Sequence, residues 1–332
     1  MRAFVLALPP LLALSAAAAP SASAQESTSS EGALFLLLPV GAEAIALGRA
    51  TTAVEGPESA FWNPAGLGAL ERSRFVVFRG EQVAGTATAA SLLLARPGTG
   101  TIGASYLLLD GGTQELTDDS GTFLGEVSVR NHLGVISAAA RVLENVTVGA
   151  SFKIVQFRFT CRGQCQVPGT TATTYAFDVG MQMTPLDGLR VGAMLAHVGP
   201  ALQVVNAEQA DPLPQRVRIA AAYDVMRLIA STEDFRTLVL VEVQDRLRNP
   251  GVPSLYMGLE FRAGQTDALS LRTGYVISDV RDRIEGADPE DGARVGLGIR
   301  YGRIDMSIAK SLAVSTLTGE TEPVHVTLSI GL

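Results

Sequence analysis

Alternation with a period of two residues is the feature that most limits what this chain can become. At the C-terminal end Val324, Val326, Leu328, Ile330 and Leu332 alternate with His325, Thr327, Ser329 and Gly331. Tyr175, Phe177, Val179, Met181 and Met183 alternate with Ala176, Asp178, Gly180 and Gln182. Val146, Val148, Ala150, Phe152 and Ile154 alternate with Thr147, Gly149, Ser151 and Lys153, and rows at 255–261 and 295–301 repeat the pattern. Successive side chains of a strand point to opposite faces, so each segment has one apolar face and one small, polar or charged face. The predicted strands are 73–79, 85–95, 100–109, 125–141, 145–160, 171–184, 189–198, 215–226, 236–247, 253–262, 267–278, 293–301, 303–311 and 323–332. They number about fourteen, and several approach the ~9–11 residues with which a tilted strand crosses a bilayer.

The links carry an independent signal. If the first strand runs away from the N-terminal side, the links on that side are 97–100, 144–145, 185–188, 227–235, 263–266 and Gly302. Links on the opposite side include 110–124, 161–170, 199–214, 279–292 and 312–322. Short turns at one end and long loops at the other are the habit of outer-membrane barrels, and the pattern requires an even strand number. A soluble sandwich has no reason to segregate them. Composition agrees: the chain is 47% hydrophobic with mean hydropathy +0.26. Yet beyond the N-terminal leader no charge-free apolar run reaches the ~18 residues of a helical span. The expected fold class is all-β, a transmembrane antiparallel β-barrel of about 14 strands.

Residues 1–24 read as a signal peptide: Arg2, the apolar "AFVLALPPLLAL", then small residues "SASA" before Gln25. An exported barrel belongs in the outer membrane of a Gram-negative-type bacterium, integral among its lipids, with both termini periplasmic. Phe157, Phe159 and Tyr175 fall near outer strand ends, and Tyr223, Phe261 and Tyr301 near inner ends, as two interfacial girdles would require.

Residues 25–72 do not alternate. In "GAEAIALGRATTAV" (41–54), Gly41 and Gly48 allow close backbone contact. Asn63 suits a helix N-cap with Pro64 at the first position, and Phe61 and Trp62 stand just before it. A compact N-terminal plug with a short helix is expected here, followed by the barrel over 73–332.

The run "FLLLPVGAEAIALGRATTAVEGPESAFWNPAGLGAL" (35–70) resembles the N-terminal signature of the PorV/PorQ family of outer-membrane proteins, distant relatives of the FadL fatty-acid channels. The matching features are the leading Phe35–Leu36, Gly41–Ala42, Leu47–Gly48, and Trp62-Asn63-Pro64-Ala65-Gly66-Leu67. The rest of the chain matches in pattern and length alone. Glu55 and Glu58 stand where such proteins usually carry an Ala-Asp-Asp step. The resemblance implies a 14-stranded barrel whose N-terminal segment plugs the lumen. It also implies service to a type IX-like secretion system, with secreted cargo proteins and secretion-system components as partners. The alternative it implies is a FadL-like channel for uptake of hydrophobic small molecules.

No enzyme chemistry is expected. There is no G-x-S-x-G context, and "GTGTIG" (98–103) joins two strands, so it reads as a turn rather than a phosphate loop. His132, His197 and His325 lie in different strands and suggest neither a triad nor a metal site. The acidic loop 279–292 lacks EF-hand spacing. Cys161 and Cys165, the only cysteines, are expected to close an outer loop as a disulfide; one C-x₃-C pair without a nearby His does not make a metal site. Neither cofactor nor metal is expected. With a net charge of −7 and no basic block, nothing points to nucleic acid. Arg216, Arg218, Glu242, Asp245, Arg246, Arg272 and Arg300 are placed to face the lumen, where charges pair across a barrel, hold a plug or tune passage.

Overall fold

The computed structural model describes residues 31–82, 85–165, 169–205, 208, 210–229, 234–278, 291–312 and 324–332. Residues 1–24, expected as a signal peptide, and most of the acidic 279–292 stretch lie outside the described residues. Fourteen strands close into one antiparallel barrel. They are β1 (Arg74–Gln82), β2 (Gly85–Arg96), β3 (Gly100–Thr117), β4 (Phe123–Leu143), β5 (Val146–Gly163), β6 (Gly169–Leu186), β7 (Leu189–Val198), β10 (Arg216–Asp224), β11 (Phe235–Arg246), β12 (Ser254–Ala263), β13 (Ala268–Ile277), β14 (Gly292–Tyr301), β15 (Ile304–Ser311) and β16 (His325–Gly331). Between β7 and β10, β8 (Leu202–Gln203) and β9 (Ala210–Asp211) form a separate small pair. Each barrel strand pairs with the next, and β1 closes on β16, with Phe75 opposite Ile330 and Val77 opposite Leu328. Closure leaves no sheet edge to satisfy in hydrocarbon.

The packing is inverted relative to a soluble protein. Ile102, Ile136, Ile154, Val179 and Ile299 are exposed on the outer face, while Ser105, Ser137, Ser151, Asp178 and Gln182 are buried inside. An apolar belt outside, with polar groups tolerated at inward positions, fits strands surrounded by lipid. No helix among the described residues is long and apolar enough to cross a membrane.

Each expected strand is present, and several are longer than the alternation indicates, β3 by the most. β3, β4, β5 and β6 run for 18, 21, 18 and 18 residues. The expected loop 110–124 is therefore mostly strand, with a register shift between Asp110 and Thr113, and residues 161–163 and 169–170 of the next expected loop belong to β5 and β6. Above the apolar band both faces meet water, so the pattern fades in "GGTQELT" while the backbone ladder continues. A second correction concerns the girdle. Phe157 shares the inward parity of Lys153 and Val155 and packs on the interior cluster, and Phe159 follows it in that parity; neither faces lipid. Tyr175, Phe261 and Tyr301 do face outward. Cys161 near the tip of β5 is bonded to Cys165 just past its end, their Cα atoms 6.2 Å apart.

Candidate functional site: the plugged lumen

The N-terminal segment forms four short helical turns where one was expected. They are a 3₁₀ turn at Leu34–Leu37, α1 (Ala42–Ala46), and 3₁₀ turns at Pro57–Ala60 and Pro64–Ala69. Glycine or proline interrupts the sequence every few residues, which keeps each turn short. Helix α1 packs on β13–β16, and the last turn packs on β3–β6. A segment that touches opposite walls of a closed barrel runs through its lumen.

Local chemistry explains the motif residues. Asn63 is fully buried; its Oδ1 accepts from the Ala65 amide (3.1 Å) and its Nδ2 donates to the Thr52 carbonyl (2.7 Å). Pro64 follows at the first helical position, where an N–H is not needed. Trp62 donates from Nε1 to the Val40 carbonyl at 2.8 Å, tying the two halves of the segment together. Gly41 has φ +104°, and a Cβ there would run into the Glu58 carboxylate. Gly48 has φ +61°, and a Cβ would sit 2.6 Å from the Met257 carbonyl oxygen in β12. Gly66 leaves room for the Ser59 hydroxyl.

The wall is cut to receive this segment. Gly149, Gly180 and Gly192 on β5–β7 face it from one side, and Gly258, Gly274 and Gly296 on β12–β14 from the other. A Cβ at these six positions would overlap, in that order, Pro64–Ala65, Asn63, Thr52, Leu47, Gly48 and Ala46.

Ion pairs complete the seat. Arg218 Nε lies 2.5 Å from Glu242 Oε1, its Nη2 donates to the Arg49 carbonyl (2.8 Å), and its guanidinium lies 4.7 Å from the Trp62 ring centroid. Glu242 also accepts from the Thr52 amide (2.8 Å) and hydroxyl (2.9 Å). Arg216 makes two bonds to Glu31, at 2.9 and 2.7 Å. Arg272 pairs with Glu260 (2.7 Å) and with Glu43 of the plug (3.2 Å). Burying such charges is tolerable only because they are paired. Arg300 is not part of this seat: it pairs with Asp305 at the short-turn mouth. Asp245 instead holds the turn after β11 through the Gly251 amide, and Arg246 ends that strand opposite Arg216.

Sequence reasoning did not single out three further contacts. Glu55 pairs with Arg190 at 2.6 Å. Glu58 accepts from the amides of Glu43 (3.2 Å) and Ala44 (2.9 Å) and from the Thr327 hydroxyl (2.8 Å), so it caps α1 from a distance. Burial, and then the Glu43 carboxylate beside it, push the Glu58 carboxyl up to about 7 against these hydrogen bonds. Lys153 and Asp178, both fully buried, pair at 2.5 Å, and Asp178 also accepts from the His197 amide at 2.8 Å. The available signal was a lysine and an aspartate at inward positions of strands with apolar outer faces. His132 points outward, 2.6 Å from the Tyr106 hydroxyl, whereas His197 and His325 are buried. Among the described residues no group of three or more His, Cys, Asp or Glu is placed to hold a metal.

The plug separates two unlike spaces. Toward the long-loop end the lumen wall is apolar: Phe78, Ala89, Leu107, Leu133, Val155 and Ala176 surround Phe35 and Leu36. A cavity of about 30 Å³ remains there, between Phe35–Leu38 on one side and Lys153, Arg216 and Arg218 on the other. That is room for about one water molecule. At the short-turn end a polar vestibule of about 450 Å³ opens, lined by Arg190, Arg236, Arg262, Arg300, Glu43 and Glu260 among others.

No protein-family model matches the sequence, and no curated protein matches it. In structure the chain is similar to the toluene transporter TodX of Pseudomonas putida, with a TM-score of 0.59 and 13% identity over 88% of this chain and 98% of TodX. It is similar to the CymD monoaromatic hydrocarbon channel, with a TM-score of 0.58 and 12% identity over 88% of this chain and 97% of CymD. A FadL homologue from Pseudomonas aeruginosa aligns with a TM-score of 0.51 and 11% identity over 88% of this chain and 98% of that chain. The barrel fold is thus that of Gram-negative outer-membrane channels.

Proposed function

We propose that this protein is an outer-membrane channel for hydrophobic small molecules, shut in the structure described by its N-terminal plug. The observation that carries this reading is the apolar lumen wall of β1–β6. A barrel that passes polar solutes has a polar, wet interior. Here Phe78, Leu107, Leu109, Leu133, Val135 and Val155 face inward and are buried against Phe35 and Leu36. The fold neighbours are a toluene transporter, a monoaromatic hydrocarbon channel and a FadL homologue, which favours the second of the two roles implied by the N-terminal resemblance. Service to protein secretion draws no support from these neighbours. Placement in the PorV/PorQ branch rests on residues 35–70 alone. We place the long-loop end outside the cell and the vestibule with both termini in the periplasm.

The test is uptake of labelled toluene, and separately of a long-chain alkane, by cells whose outer membrane lacks other hydrophobic channels. Expression of this protein should raise uptake several-fold, and Leu107→Asn with Leu133→Asn should abolish the gain while the barrel still inserts. Uptake equal to that of empty cells for both probes would reject the reading.

A further inference from the structure

The outer face of β4 and β5 carries an arrangement that the channel reading does not use. Arg130 and Arg158 are directly opposite each other across the β4–β5 ladder, and both are exposed. Like charges in directly opposed positions destabilise a sheet. Asp110 on β3 answers one of them, accepting from Arg130 Nε at 3.0 Å, and among the described residues no acid is paired with Arg158.

Their height on the barrel gives this excess charge a meaning. Two register rows below, toward the short-turn end, Tyr106, Gly134, Ile154 and Tyr175 stand side by side on the same outer face. From that row downward the outward residues of β4 and β5 are apolar: Ile136, Ala138 and Ala140, and Phe152, Ala150 and Val148. The row between holds His132, Gln156 and Thr173, with Gln156 Nε2 donating to Thr173 Oγ1 at 3.2 Å. The arginine pair therefore sits just above the apolar band, where aromatic residues mark the interface. It lies on rigid ladder rather than in a loop, because β4 and β5 continue for several residues above it.

We infer that Arg130 and Arg158 clamp a phosphate group of an outer-leaflet lipid, the phosphorylated glucosamine head of lipid A. One phosphate accepts from two guanidinium groups at once, and such charge-assisted contacts are the strong ones. It would also relieve the repulsion between the two arginines. Thr171, opposite Arg158 and exposed, supplies a further hydroxyl at the same level. The inference rests on the long-loop end facing outward, not on what the channel carries.

The test is native mass spectrometry of the purified barrel with bisphosphorylated lipid A, with chemically dephosphorylated lipid A, and with inorganic phosphate. The wild-type protein should retain bisphosphorylated lipid A and bind the dephosphorylated form about tenfold more weakly. Arg130→Gln with Arg158→Gln should lose about the same factor, whereas Asp110→Asn should bind lipid A more tightly. Two results would overturn the inference: equal binding of the two lipid forms by the wild type, or equal binding of lipid A by the double variant. Inorganic phosphate bound as tightly as lipid A would assign the pair to a soluble anion and would also overturn it. The comparison of lipid forms on the wild type stands even if the double variant fails to insert.

Discussion

Glu58 in the plug and Thr327 in the last barrel strand are joined by a hydrogen bond of 2.8 Å, and the same Thr327 hydroxyl accepts from the Ala42 amide at 2.8 Å. One wall residue thus holds both the start of α1 and the carboxyl that caps it. Glu43, paired with Arg272, is the acid whose charge acts on it. With the plug seated, the Glu58 carboxyl titrates near 7, above the ordinary value of 4.5 it regains when released. Between those values the seated form holds a proton that the released form has given up, so seating is strongest at low pH. It weakens as pH rises toward 7 and changes little above. The protection factors of the Ala42–Ala46 amides, that is, exchange corrected for its intrinsic base-catalysed rate, should therefore be higher at pH 5.5 than at pH 8. Glu58→Gln should flatten that dependence; a variant that keeps the full pH response would remove Glu58 from the account.

Arg218 and Glu242 are both buried and make one unit with Thr52 and Trp62. Glu242→Ala should cost about 3–5 kcal/mol of plug seating, because it strands a buried guanidinium. Arg218→Ala should cost a similar amount. The double variant should cost clearly less than the sum of the singles, as expected for residues in direct contact. Urea titration followed by protease accessibility of the N-terminal segment reads all three.

Replacing Asn63 and Pro64 by alanine should leave the barrel inserted and loosen the plug. The lost cap and hydrogen bond amount to about 1–2 kcal/mol. The Thr52 carbonyl retains the Gln182 side chain at 2.9 Å, which limits the damage. Limited proteolysis should cut between residues 40 and 70 faster than in the wild type, and an unchanged digestion pattern would count against a capping role.

Side chains grown on the wall glycines should unseat the plug from outside its own sequence. Gly274→Val places methyl groups where the Gly48 backbone lies, and Gly192→Val does the same to Thr52. Gly134→Ala is the control, since nothing stands within 4 Å of its missing Cβ. The first two should raise protease access to residues 31–70 and change the rate of hydrocarbon uptake, while the control should do neither.

Much of this was legible in the chain because lipid and lumen impose opposite demands on neighbouring residues. Leu328 and Thr327 cannot exchange faces, so the strands announce themselves wherever hydrocarbon lies outside. The signal stops where the hydrocarbon stops, which is why the upper parts of β3–β6 read as loops. Phe157 misled for a related reason: an aromatic near a strand end suggests a girdle, and only its parity with Val155 shows that it points inward. The start of the last helical turn at Asn63 was legible since capping is local. The partners of Glu58, Arg218 and Gly274 were not. They depend on which strand faces which part of the plug, a property of the closed circle that no short stretch of sequence contains. Arg300 illustrates the same gap, since its height in the barrel follows from strand tilt rather than from spacing.

The two sets of wall glycines have a consequence for throughput. Where the plug rests directly on the wall at two arcs, with no side chain from the wall glycines between them, those arcs leave no room for solvent. If the barrel is the channel proposed above, traffic between its apolar long-loop end and the charged vestibule becomes a question of how often residues 46–65 step aside. Such a conduit would saturate like a turnstile rather than leak like a pipe, and a single added methyl group on the wall would reset its pace.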